Sequence, residues 1–200
     1  MNLPQIPRNT SPQKAAEILR DYWKIGNKPI DDIVYLVESN GLIVTDFATS
    51  TGDVDAFSHK IVCGEKETYL IGYSQNKRMA ARIHFDIAHE LGHILLHNWN
   101  EDLENIDKED FKDIEQEAHS FASAFLLPEK EFSDDVRPYA TNLAYYAELK
   151  KRWKVSIAAM IRRAKDLGII SNDDYSKLMR NMQKQGIRKV EPLDNELRTA

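Results

Sequence analysis

The chain has 200 residues, of which 42% are hydrophobic, 30% charged and 9% aromatic, with a formal net charge of −5. It can therefore bury one moderate core, and it lacks the profile of a disordered chain. Its longest apolar runs are too short for a membrane span, and the start MNLPQIPRNTSPQKAAE has neither the basic head nor the apolar core of a signal peptide. A soluble cytoplasmic protein is expected, and the single cysteine, Cys63, agrees with a reducing compartment and reads as a small apolar strand residue.

In chain order, SPQKAAEILRDYWKIG opens on Ser-Pro, carries apolar residues at helical spacing and closes on Gly26, which predicts a helix over about Pro12 to Ile25. IDDIVYLVESNG predicts a second helix, capped by Asp31 and stopped by Gly41. Three β-rich runs follow, LIVTDF, DAFSHKIVC and TYLIGYS, separated by the turn-forming stretches STGD and GEKE. The remainder predicts helices over about 77–97, 110–126, 142–153, 156–167 and 172–184. A small sheet ahead of several helices indicates an α+β fold, with an antiparallel or mixed sheet packed on helices, rather than a doubly wound parallel one.

Charge is unevenly spread. Glu148 to Val190 holds twelve Lys or Arg against four Asp or Glu, so the rest of the chain carries a net −13. The carboxy-terminal part is thus a candidate for contact with an acidic partner, or for docking on the acidic body of the same chain.

The stretch FDIAHELGHILLH, Phe85 to His97, holds the chemistry. His89 and His93 are four apart on a helix, so both rings project from one face and can reach a common metal ion. Glu90 completes H-E-x-x-H, where it can take a proton from metal-activated water without being a ligand. Ile87, Ala88, Leu91, Ile94 and Leu95 make the segment a largely buried helix, in which unpaired polar groups would be costly.

A catalytic zinc site needs a third protein ligand and leaves the fourth position to water. His97 lies about 6 Å beyond His93 along the helix, and no glycine turn follows His93 to bring it back. It reads as a helix-end residue that supports the site or caps carbonyls. In DFKDIEQEAHSFASAFLLP the residues Ile114, Phe121 and Phe125 form a stripe in which Glu117 falls, while Glu115 points elsewhere, towards solvent. Glu117 is therefore the expected third ligand, with a pair to a buried Lys or Arg as the alternative.

HELGHILLH followed by EQEAHSFASAFLLP resembles the ImmA/IrrE-type metallopeptidases, themselves similar to gluzincins. The similarity extends to DAFSHKIV and RIHFDIAHE upstream and LKKRWKVSIAAMIRRAKDLGII downstream, most of Leu42 to Ile170. It implies Zn²⁺ held by His89, His93 and Glu117, Glu90 as general base, and cleavage of a transcriptional repressor of a mobile element or stress response. His119 stands where the family usually has Asn, and Asp86 and His84 replace a more usual Thr and a basic residue.

Residues 1–140 are accordingly expected to form a zincin-like metallopeptidase domain, 141–190 a basic helical region and 191–200 a tail. An edge strand near the active helix could add a substrate peptide as a further strand, which makes Asp55, Ala56, Phe57 and Ser58 candidate substrate contacts. For the side chains of Phe57 and Ile61, facing the core is favoured over substrate contact. AYYAELKKRWKVSIAAMIRRAKDLGII has the outline of a helix-turn-helix, with Ser156 capping its second helix. Protein recognition or domain packing is favoured there over nucleic acid, because the whole chain is acidic. The alternative reading is a DNA- or protein-binding regulator whose metal site is structural or sensory; an intact Glu90 favours the peptidase.

Overall fold

The structure, a computed structural model, describes residues 1–48, 54–75, 79–97 and 107–197. The expected STGD turn and the first two residues of the expected 77–97 helix lie outside them. Helix α1 spans Pro12–Tyr22 and α2 spans Ile33–Ser39. Ser11 caps α1 by accepting from the Lys14 amide, and Asp32, one residue after the expected Asp31, caps α2 by accepting from the Tyr35 amide at 2.9 Å. Helix α1 ends before Ile25, because Lys24 and Gly26 both take the left-handed conformation.

Strands β1 (Ile43–Phe47), β2 (Ala56–Cys63) and β3 (Lys66–Ser74) form one mixed sheet in the order β1-β3-β2. β1 runs parallel to β3, and β2 antiparallel to it. Cys63 pairs with Lys66 across a two-residue turn whose first residue, Gly64, has φ +63°, the glycine-led pattern that suits the twist of a hairpin. The exposed Cys63 therefore sits at a hairpin end rather than in a core.

The helices α3 (Ala80–Leu96), α4 (Lys108–Leu126), α5 (Glu129–Val136), α6 (Leu143–Trp153), α7 (Ile157–Asp166) and α8 (Asn172–Lys184) follow, with a 3-10 turn at Arg137–Tyr139. Helix α5 was not expected, since EKEFSDDV is short and polar; Phe132 and Val136 nonetheless bury it completely on one side. One apolar cluster runs from Ala15 and Leu19 through Ile71, Ile87 and Phe125 to Trp153, Ile161 and Met182. Arg20, itself buried, ties α1 to α4 by donating to the Phe125 carbonyl and to those of Gly26 and Lys28. Among the described residues no helix is long and apolar enough to cross a membrane.

Candidate metal centre

Helix α3 buries Ile83, Ile87, Ala88, Leu91 and Ile94 and so turns His89, Glu90 and His93 towards α4 and the sheet. Helix α4 begins at Asp107, whose carboxylate accepts from the amides of Glu109 and Asp110 at 2.8 and 2.9 Å. The two helices meet at small residues. A Cβ built on Gly92 would lie 3.1 Å from the Ala118 Cα, the Ala118 carbonyl oxygen and the Phe121 ring. A side chain at position 92 would force α4 to give by a few tenths of an ångström, so glycine suits this close approach.

That contact decides which carboxylate reaches the histidines. The Nε2 atoms of His89 and His93 stand 3.0 Å apart. Glu115 approaches both, its Oε2 at 3.3 Å from His89 Nε2 and its Oε1 at 3.2 Å from His93 Nε2. These three residues form a group whose ligand atoms all lie within 4.8 Å of one another. Glu117 is placed elsewhere: its side chain is 54% exposed and its nearest basic partner is His97, 3.8 Å away. Residues two apart on a helix project about 160° from each other, so only one of the pair can face α3. The bulky stripe Ile114, Phe121 and Phe125 points to Glu117, whereas the structure brings Glu115, at i−3 from the Ala118 that meets Gly92, to the two histidines. Solvent was the expectation for Glu115, and its side chain is indeed 43% exposed, but its two oxygens are turned onto the histidines.

The electrostatics fit a cation. Burial, with the neighbouring imidazoles His119 and His97 adding, lowers the pKa of His89 to about 4, and burial with His89 and His97 lowers that of His93 to about 3. The contacts to Glu115 are therefore not ion pairs at neutral pH; they bring a carboxylate against two neutral rings. In the tautomers that leave both Nε2 atoms unprotonated, nitrogen and oxygen lone pairs converge there, an arrangement that a metal ion relieves. The separations of 3.0, 3.2 and 3.3 Å, the last two to different oxygens of Glu115, are each close to the ligand–ligand distance of about 3.3 Å in a tetrahedral zinc site.

Glu90 lies beside this group, largely buried, and Ser58 of β2 donates its hydroxyl to Glu90 Oε2 at 2.7 Å. Burial pushes the Glu90 carboxyl up to about 7; Glu115 and Asp86 push the same way, and the Ser58 hydrogen bond opposes them. Ser58 is thus the candidate strand residue that reaches the buried acid. Asp55 pairs with Arg82, Ala56 lies opposite Tyr73, and Phe57 lies opposite Gly72 and packs on Phe47 with ring centroids 5.3 Å apart. The Phe57 ring covers Gly72, where a Cβ would lie 2.4 Å from it. His97 ends α3, and its ring hydrogen-bonds to the Ile114 backbone, fastening the two helices beyond the ligand group. The sequence reading did not single out the coupling of Ser58 to Glu90, although the alternation of β2 puts Ala56, Ser58 and Lys60 on one face.

A family profile for the IrrE N-terminal-like domain, of peptidase class M78, matches residues 40–165, from just before β1 to the end of α7. A comparison with curated proteins finds no match. The profile covers more than half of the chain and includes the His89, His93 and Glu115 group, and the chain belongs to the IrrE N-terminal-like family of metallopeptidases.

Proposed function

We propose that the protein is a zinc-dependent endopeptidase that cleaves a regulatory protein, with a helix-turn-helix repressor as the substrate class that the family resemblance implies. The observation that carries this reading is the convergence of His89, His93 and Glu115 beside a buried, hydrogen-bonded Glu90. Those three residues would hold the zinc, with Glu115 in place of the expected Glu117. When bound, zinc polarises the scissile carbonyl and acidifies water at the site. Glu90, with its pKa lifted to about 7 by burial, is suited to take a proton from the attacking water and return it to the leaving amine. Ser58 holds the carboxylate in place while it does so. β2 pairs only with β3 among the described residues, so its outer edge can add an extended substrate segment.

The regulator reading is less well supported. A recognition helix needs a free amino-terminal end and free cations. Here Glu191 occupies the start of α7, accepting from the amides of Ile157 and Ala158 at 2.7 and 3.1 Å. Lys150, Arg163, Arg152 and Lys154 are spent on contacts within the chain, which favours the docking reading of the basic region.

The test is incubation of zinc-loaded protein with candidate repressors, comparing wild type with Glu90→Gln and with chelator-treated protein. Cleavage by the wild type alone is expected; equal cutting by Glu90→Gln would remove the peptidase assignment from this site. Salt-sensitive gel shifts with duplex DNA would favour the regulator reading instead.

A further inference from the structure

A cleft of about 630 Å³ lies between α3, α4, α7, α8 and the segment that follows α8. Phe85, Ala159, Tyr175 and Met179 supply apolar surface to it, and Ser120 and Ser123 of α4 line another side. It meets the ligand group at His119, which lines the cleft and whose ring centroid is 4.8 Å from that of Phe85 and 5.5 Å from that of His89.

The charges around the cleft are mostly matched. Asp86 is held by Arg82, which also pairs with Asp55, and Asp166 lies 3.5 Å from Arg162. Glu191 and Asp194 are both taken by the buried Lys150, at 2.8 and 2.5 Å. Arg188 and Lys189 remain: both line the cleft, both are exposed, and neither has an ion pair among the described residues. A cleft with an apolar lining and two unmatched cations is complementary to a segment that presents apolar side chains next to carboxylates. Four carboxylates around the same walls make it a poor seat for a nucleic-acid backbone.

We propose that this cleft is an exosite that binds an acidic amphipathic segment of the protein substrate, with apolar side chains against Phe85, Tyr175 and Met179 and carboxylates at Arg188 and Lys189. The identity of that segment as substrate rests on the peptidase reading; the binding itself does not. From His119 the segment would lead to the ligand group, so the cleft selects the substrate while the β2 edge aligns its scissile stretch.

The experiment uses the full chain as zinc-loaded Glu90→Gln protein and fluorescence polarisation with three labelled probes. These are a short peptide of Leu and Glu at helical spacing, the same peptide with every Glu replaced by Lys, and a single-stranded DNA oligonucleotide of similar length. The Glu peptide is expected to bind at least roughly tenfold more tightly than the Lys peptide. Adding Arg188→Glu and Lys189→Glu, at exposed positions that leave the core untouched, should invert that preference. Equal binding of the two peptides, an unchanged preference in the charge-reversed protein, or tighter binding of the oligonucleotide would each overturn the proposal. A separate cleavage assay distinguishes the two readings. Charge-selective binding without any cleavage by the wild type would sink the peptidase and keep the cleft as a binding site for acidic segments; cleavage with charge-blind binding would keep the peptidase and sink the exosite.

Discussion

Gly92 of α3 faces Ala118 of α4 so closely that a methyl group at position 92 would lie 3.1 Å from both the Ala118 Cα and its carbonyl oxygen. This approach sets the rotation and depth of α4, and with them the distance from Glu115 to His89 and His93. Gly92→Ala should therefore act at two levels. Forcing the helices apart is expected to cost about 1–3 kcal/mol, seen in urea unfolding, and to weaken zinc uptake measured by competition with a chromophoric chelator. Unchanged zinc affinity would separate helix packing from assembly of the ligand group.

The Ser58 hydroxyl on Glu90 Oε2, at 2.7 Å, ties the edge strand to the buried acid. On the peptidase reading, Ser58→Ala should lower kcat about tenfold, the scale of one hydrogen bond to a charged group, while KM and zinc content stay as in the wild type. Ser58→Thr should restore most of the rate. A fall confined to KM would place Ser58 with the substrate rather than with Glu90.

Much of this architecture could be read from periodicity, because H-E-x-x-H and the alternating strands are local patterns. His89, Glu90 and His93 need only one helix to be understood. Glu115 depends on the relation between two helices, and the signal for it was the close approach of Gly92 to Ala118 rather than the bulky stripe beside it. Helix α5 escaped notice because its few apolar residues give no sustained period. The stretch Glu191 to Asp194, assigned to a tail, has no period at all. Its role is set by Lys150, more than forty residues earlier in the chain, and a contact of that range leaves no mark on local sequence.

Lys150 is fully buried, and its ammonium group is matched by Glu191 and Asp194. Removing it strands two carboxylates in the interior, so Lys150→Ala should destabilise the fold by about 3–5 kcal/mol. It should also expose the carboxy-terminal segment to limited proteolysis, read by mass spectrometry. A loss below about 1 kcal/mol would mean that the segment detaches and solvates its carboxylates at little cost.

His84 is fully buried in α3 and neither ring nitrogen has a hydrogen-bond partner. Burial, with the charge of Lys154 adding and Asp32 opposing, lowers its pKa from 6.5 to about 4. Above the unfolded value the ring is neutral in both states and adds no pH-dependent cost. As pH falls from 6.5 towards 4 the unfolded chain takes up a proton that the folded chain refuses, and stability is lost. Between pH 7 and pH 5, zinc-free wild type should lose about 2 kcal/mol more than His84→Met, compared by urea unfolding, since the other histidines contribute equally to both proteins. Equal losses would show that His84 is hydrated or paired in solution.

The central claim is that a metal ion is held by His89, His93 and Glu115. Its most direct measurement is the zinc content of purified Glu115→Gln and Glu117→Gln after dialysis against a weak chelator, by plasma mass spectrometry. The account predicts that Glu115→Gln loses its zinc while Glu117→Gln retains a stoichiometric amount. Zinc lost from Glu117→Gln and kept by Glu115→Gln would contradict it.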